Sequence, residues 1–312
     1  MVEYLLNSSM ESLDSDYRPK DNDVVISLLS TQECEEKYHS LPFYPVLSRN
    51  IKNHNIQYCK VDLLKDCVLG TLLIPDKHSQ KEAILSLSFY MNRNLLILVD
   101  DERHLPSILS HFEKEQLLNA RSLAEFLCQL IAVFTAEDAL FLQTLEQQMG
   151  ALEESIQKHT AIGSSSSFRP FLHLRKDLLI LHAYYQQLLN FYEDLKENSN
   201  HFFPEEDCQL FSLSASRIKR LSDHAQMLRE YAIQIRELQQ SQIDARQNRT
   251  MRLLTAGTTI FFPLSLITGW YGMNFSYMPE LTAPYGYFIL IGLCAVIVAV
   301  QIWIFHKNNW FS

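Results

Sequence analysis

The stretch Leu253-Leu254-Thr255-Ala256-Gly257-Thr258-Thr259-Ile260-Phe261-Phe262-Pro263-Leu264-Ser265-Leu266-Ile267-Thr268-Gly269-Trp270 runs for 18 residues without a charge. That is the short end of what a helix needs to cross hydrocarbon. What precedes it is equally informative. From about Glu206 to Gly269 there is one proline, Pro263, and one interior glycine, Gly257. At 1.5 Å per residue this predicts a helix roughly 90 Å long. Its first half carries Arg217, Lys219, Arg220, Arg229, Glu230, Arg236 and Glu237, and its last part carries no charge. Such a helix is expected to be a stalk that runs from water into a bilayer, because no single compact domain accommodates it.

A second uncharged run, residues 287–305, has Gln301 as its only strongly polar member. Between the two lies a connection of 15 residues, 271–285, with no Lys or Arg and one acid, Glu280. Arg246, Arg249 and Arg252 precede the first run and Lys307 follows the second. The excess of positive charge predicts cytoplasmic termini and an outer loop. Trp270, Tyr271, Tyr285 and Tyr287 mark the expected outer boundary, and Trp303 and Trp310 the inner one.

The rest of the chain is built differently. Its 312 residues are 47% hydrophobic and 20% charged, with a formal net charge of −9. That balance excludes disordered and collagen-like classes. It also disfavours a nucleic-acid partner, which needs clustered Lys and Arg. Cys34, Cys59, Cys67, Cys128, Cys208 and Cys294 form no CxxC and no Cys/His cluster, so free thiols are expected rather than a zinc site or disulfides. The opening Met1-Val2-Glu3-Tyr4 shows no basic segment leading into an apolar core, so the N-terminal part is expected in the cytoplasm. No P-loop, HExxH or nucleotide fingerprint is present, and an enzyme is not expected.

Strand-length apolar runs occur at 24–29, 56–64 and 67–74, and residues 83–91 with 95–99 read as a hairpin turning at Asn92-Arg93-Asn94. These predict a small α/β domain with a mixed sheet over residues 1–120. Residues 121–205 read as a helical pair, one helix over 121–156 and one over 173–198, broken by Gly163 with Ser164–Ser167 and by residues 198–204. Tyr184, Tyr185, Phe191 and Tyr192 are expected to pack in its core. The stalk and first span then occupy 206–270, the loop 271–285, the second span 286–306 and a cytoplasmic tail 307–312. The fold class is an α+β membrane protein.

Two spans cannot enclose a polar path, since lipid tolerates only satisfied backbone. A transporter with two spans must therefore assemble around an axis. Asn248, Met251, Leu254, Thr258, Phe262, Ser265 and Gly269 recur at three- and four-residue steps and are candidates for the pore face, with apolar levels able to close by dewetting. A packing seam shows the same pattern.

Directly after the first span stands Tyr271-Gly272-Met273-Asn274-Phe275. This Gly-Met-Asn triplet, with Pro263-Leu264-Ser265-Leu266-Ile267-Thr268-Gly269 before it and Met278-Pro279-Glu280-Leu281 after it, resembles the signature of the CorA family of magnesium and divalent-cation channels. Asn248, Met251 and Leu253-Leu254-Thr255 are similar to the start of that family's pore helix. The resemblance is sharp over 248–307 and only architectural over 1–247. It implies a homopentameric funnel in a cell (inner) membrane, with the first span lining the pore and the second forming an outer ring. It further implies membrane-potential-driven uptake of Mg2+, and closure by internal divalent ions. Gly272, Met273 and Asn274 would form the selectivity filter, and Glu280 would add outer negative charge. Ser276 stands where family members often carry an acid, which weakens the outer field. Leu213 falls where some members have an acid on the stalk. The acidic runs Asp100-Asp101-Glu102 and Glu205-Glu206-Asp207 are candidates for regulatory ion sites, with solvated surface charge as the more ordinary reading.

The chemistry agrees with such a filter. Mg2+ holds its water in an octahedral shell at about 2.1 Å. Carboxamide oxygens from a ring of Asn274 can accept hydrogen bonds from that shell without stripping it. A zinc, cobalt or nickel transporter of the same superfamily is the nearest alternative, though no His or Cys flanks the outer mouth. A non-conducting membrane-anchored scaffold is the alternative of another class.

Overall fold

The computed structural model describes residues 2–6, 10–12, 23–51, 58–76, 83–114, 120–158, 168–273, 278 and 285–307. It divides into two compact units, Met1–Ile235 and Arg236–Ser312.

The first unit is organised by a sheet of β1 (Val2–Leu6), β2 (Met10–Ser12), β3 (Val25–Leu29), β4 (Lys60–Leu63), β5 (Val68–Pro75), β6 (Ala83–Met91) and β7 (Leu95–Val99). The order is β2-β1-β3-β7-β6-β5-β4, with β3 and β7 parallel and the other pairs antiparallel. The mixed sheet agrees with the sequence, and so does the hairpin. Asn92 Oδ1 accepts from the backbone of Asn94 at 3.0 Å and of Leu95 at 2.8 Å, which closes the turn. The run at 56–64 is shorter than expected. Cys59 donates its backbone N–H to Gln187 Oε1 at 3.0 Å, and the ladder starts only at Lys60. The strands β1 and β2, the latter at the sheet edge, were not expected.

Alternation along the strands builds two cores. Leu69, Tyr90 and Ile97 share one face and pack with Leu29 and Val99 against α1 (Thr31–Tyr38) and α2 (Tyr44–Ile51). The sequence reading missed α1, although Ser30 and Glu33 form the reciprocal capping box that starts it. On the opposite face, Phe89 meets Phe191 edge-on at 6.0 Å, which seats α6 (Phe168–Glu197) on the sheet. Gly70 pairs with Phe89 across the strands, and the ring lies over the glycine.

Beyond the sheet come α3 (His104–Lys114), α4 (Leu123–Phe134), α5 (Asp138–Gln157) and the start of α7 (Glu205–Tyr271). The single helix expected over 121–156 is two. Thr135 turns its hydroxyl back on the Ile131 carbonyl at 3.0 Å, and Asp138 restarts the chain fully buried. Neither Gly nor Pro marks that break. Tyr184, Tyr185, Phe191 and Tyr192 are buried as expected. Burial, and then the adjacent Asp138, raises the Tyr185 phenol well above its ordinary range. The α6–α7 turn is tied by Asn198, whose carboxamide donates to the Phe203 carbonyl at 2.8 Å and accepts from its N–H at 3.0 Å. The break at 159–167 lies outside the described residues.

All six cysteines are free. Burial pushes Cys34, Cys59 and Cys128 up to about 11.

A side chain at position 70 has no room. A Cβ there would stand 2.3 Å from a Phe89 ring carbon and 2.7 Å from the Lys60 carbonyl oxygen. Gly70→Val is therefore expected to destabilise the protein by about 1–3 kcal/mol, as overpacked cores do. Thermal unfolding in detergent checks this, and an unchanged midpoint would show that the ring moves aside freely.

Candidate functional site

The second unit consists of α7 from Arg236 onward and α8 (Gly286–Lys307). Both helices are long and apolar enough to cross a membrane, and only 6% of each apolar window is buried. Core helices of a water-soluble domain would be mostly covered. Lys307 stands over the Trp303 ring at 5.2 Å, an arrangement suited to a membrane boundary. Trp310 lies outside the described residues.

One side of α7 is partly covered within the chain: Ala256, Ile260, Pro263, Leu264, Ile267 and Tyr271. On α8 the covered positions are Gly286, Leu290, Cys294, Ile297, Val298, Gln301 and Phe305. The two helices are joined where Gln301 Nε2 donates to the Thr259 carbonyl at 3.0 Å. At 3.6 residues per turn, the candidate pore stripe lies on the opposite side of α7. Asn248, Met251, Leu254, Thr258, Phe262, Ser265 and Gly269 are all exposed on the single chain, Phe262 by 74%. The structure thus places the predicted stripe on one face that α8 leaves uncovered.

Between its apolar levels the stripe presents an acceptor at Thr258. Thr258 turns its hydroxyl proton back to the Leu254 and Thr255 carbonyls at 3.1 and 3.0 Å. Its lone pairs are what remain to meet a neighbour. Water bound to a cation points its hydrogens outward, so an acceptor at this level suits a hydrated cation.

Sequence reasoning missed the continuation toward the N-terminal part of α7. Glu237, Gln240, Ser241, Asp244, Ala245 and Asn248 line an open depression of about 450 Å³. Gln240 donates to Asp244 at 2.9 Å. The signal was a seven-residue step, Glu237, Asp244, Met251, Thr258, Ser265 and Gly272, which keeps one seam of a helix in line.

At its C-terminal end, α7 closes with Gly272 N–H on the Thr268 carbonyl at 3.0 Å and Met273 N–H on the Trp270 carbonyl at 3.4 Å. A Cβ at Gly272 would also stand 3.0 Å from the Thr268 oxygen, which explains the glycine. Met273 is half-exposed on the single chain. Asn274 and Glu280 lie outside the described residues.

The acidic runs divide. Asp100 is only 4% exposed and accepts from the backbone of Glu102 at 3.1 Å and Leu105 at 2.8 Å, capping the start of α3. Asp101 accepts from Thr31 N–H at 2.6 Å and its hydroxyl at 2.7 Å. Asp207 is buried and accepts from Ser122, the N-cap of α4, at 3.0 Å. Burial raises its carboxyl above the usual range. Asp100 and Asp207 are therefore not solvated surface charges. Glu205 and Glu206 are exposed in the first turn of α7, where acids favour the helix dipole. Among the described residues no group of three His, Cys, Asp or Glu is placed to hold a metal. Leu213 is exposed and offers no ligand.

A sheet-and-helix unit on a helix that continues as the first of two apolar spans defines a class of integral membrane transport proteins. The sequence profile of the CorA-like Mg2+ transporter protein family matches residues 31–307. The chain belongs to that family. A cobalt/magnesium transport protein CorA of Methanocaldococcus jannaschii is 26% identical over 230 residues, covering 72% of this chain and 71% of that protein. A divalent cation transporter, CmaX, of Pseudomonas aeruginosa is 26% identical over 166 residues, covering 53% of this chain and 49% of its own. Among solved structures, the complete CorA magnesium transporter from M. jannaschii superposes with a TM-score of 0.76 at 22% identity, covering 99% of this chain and 98% of that one. Full-length CmaX gives 0.74 at 19% identity with the same coverage. These structures show that the fold is shared along the chain.

The contacts of Asp100 make a test of its role. Asp100→Ala leaves the Glu102 and Leu105 amides without their acceptor, and is expected to cost about 1–2 kcal/mol of stability. The dependence of Mg2+ flux on Mg2+ concentration in reconstituted vesicles should match the wild type. A changed dependence with stability intact would make the residue an ion site.

Proposed function

We propose that this chain forms a homopentameric channel for passive Mg2+ uptake across the cell (inner) membrane, with both termini in the cytoplasm. The observation that carries the proposal is the α7 stripe. It faces away from α8, is uncovered in the single chain, and ends at Gly272-Met273-Asn274. Packing around an axis covers it and gives the path that two helices alone cannot enclose. Exposed Leu140, Leu179 and Leu213 on the first unit are further surface for such packing.

Mg2+ enters as a hydrated ion, meets a ring of Asn274 carboxamides, and passes Ser265 and Thr258 before the acidic positions Asp244 and Glu237. A potential of 100 mV favours a divalent cation by about 4.6 kcal/mol. Phe262 forms the dry level that closes the path. Internal Mg2+ holds the closed state, with Glu205 and Glu206, both exposed, as acids open to it. Co2+ is a second cargo in this reading, since a relative of similar sequence is named a cobalt/magnesium transport protein.

Asn274→Ala is expected to reduce Mg2+ uptake in liposomes at least tenfold, while the detergent-solubilised species keeps the mass of a pentamer of 36.3 kDa chains. Uptake of Mg2+, Co2+, Ni2+ and Zn2+, with and without a potential, identifies the cargo. Wild-type flux in the variant would remove Asn274 from the filter. A conducting monomer or dimer would remove the axis.

Phe262→Ala is expected to raise leak at high internal Mg2+ and leave assembly intact. A well-assembled variant with unchanged leak would show that the ring only packs.

A further inference from the structure

In an unbroken helix the Thr259 carbonyl accepts the N–H of the residue four positions on. That residue is Pro263, which has no N–H and whose ring crowds the same carbonyl. In hydrocarbon a bare backbone acceptor is costly, so something else must reach it. The adjacent hydroxyl of Thr258 is committed elsewhere, to the Leu254 and Thr255 carbonyls. The donor comes from the other helix. It is Gln301 Nε2, at 3.0 Å.

Gln301 is the one carboxamide of α8. Its Oε1 is buried and accepts nothing among the described residues, so its donor end alone accounts for its place. Only the NH2 of a carboxamide can face a carbonyl oxygen favourably. The bond falls beside the level of Phe262, which is next to Pro263 in the chain and points to the side of α7 away from α8.

We propose that Gln301 is a positioning residue: it supplies the hydrogen bond that Pro263 withholds, and so fixes the local course of α7 at the level of Phe262. The functional part rests on reading the α7 stripe as the pore. A shift of α8 is then passed to the constriction through one defined contact. Without that contact the break at Pro263 is free to bend over a wider range.

The test is a double-mutant cycle on the full-length protein with Gln301→Leu, Pro263→Ala and the pair. Two readouts are taken: the thermal stability of the solubilised assembly, and the ratio of Mg2+ flux at low and high internal Mg2+ in liposomes. Gln301→Leu alone is expected to change the flux ratio by about three- to twenty-fold, the range spanned by one hydrogen bond between membrane helices. Pro263→Ala restores an N–H for Thr259, so adding Gln301→Leu to it should change the ratio less than about two-fold. The stability readout should show the same non-additivity. If Gln301→Leu fails to assemble, the double variant is expected to recover the assembly. Equal effects of Gln301→Leu in both backgrounds overturn the proposal. So does wild-type behaviour of Gln301→Leu, or a double variant that assembles no better. Absence of Mg2+ flux in the wild type would instead overturn the pore reading, and the stability cycle would still decide whether the latch exists.

Discussion

A helix that leaves water for hydrocarbon must take its backbone hydrogen bonds with it. Much of this molecule follows from that constraint. It requires α7 to stay helical through its apolar span, because a loop there would expose carbonyls and amides to lipid. It makes the one proline inside the span an event that a second helix must answer. It also divides the surface of α7 between a side that α8 partly covers and a side that carries hydroxyls, small residues and phenyl rings and is exposed among the described residues.

The second unit was largely legible in the sequence because its signals are long. Uncharged runs of about twenty residues admit few readings, and the three- and four-residue recurrence from Asn248 to Gly269 already named one face. What could not be read was which side α8 would occupy, since spacing on one helix says nothing of the rotation of its partner. The structure supplies it through Gln301 and Thr259. Glu237 and Asp244 were overlooked for a different reason. They lie in a stretch rich in charge, where only the seven-residue step separates them from ordinary solvated residues.

The first unit was less legible, and its errors have local causes. The division between α4 and α5 turns on a threonine hydroxyl that folds back on its own helix, a choice available to any helical threonine. The helix α1 was announced by Ser30 and Glu33, yet it is short and polar, so periodicity passed over it. Asp100 and Asp207 looked like surface charge because each sits in a run of acids. Each is instead drawn inward by a neighbour with something to donate: the amides that open α3 for Asp100, and the Ser122 hydroxyl that opens α4 for Asp207. Charge runs describe a segment, whereas the use of any one carboxylate depends on which backbone ends nearby.

The buried thiols of the sheet and helices bear on what the first unit does to soft metals. A thiolate, not a thiol, is the nucleophile and the ligand. With Cys34, Cys59 and Cys128 held near 11, only about one in ten thousand of each is ionised at neutral pH. A cobalt or zinc ion that reaches this unit meets no ready sulfur at these three positions, and thiol-directed labels meet little competition from them. A reporter cysteine introduced on the exposed face of α7 would therefore be read against a quiet background from the protein's own interior.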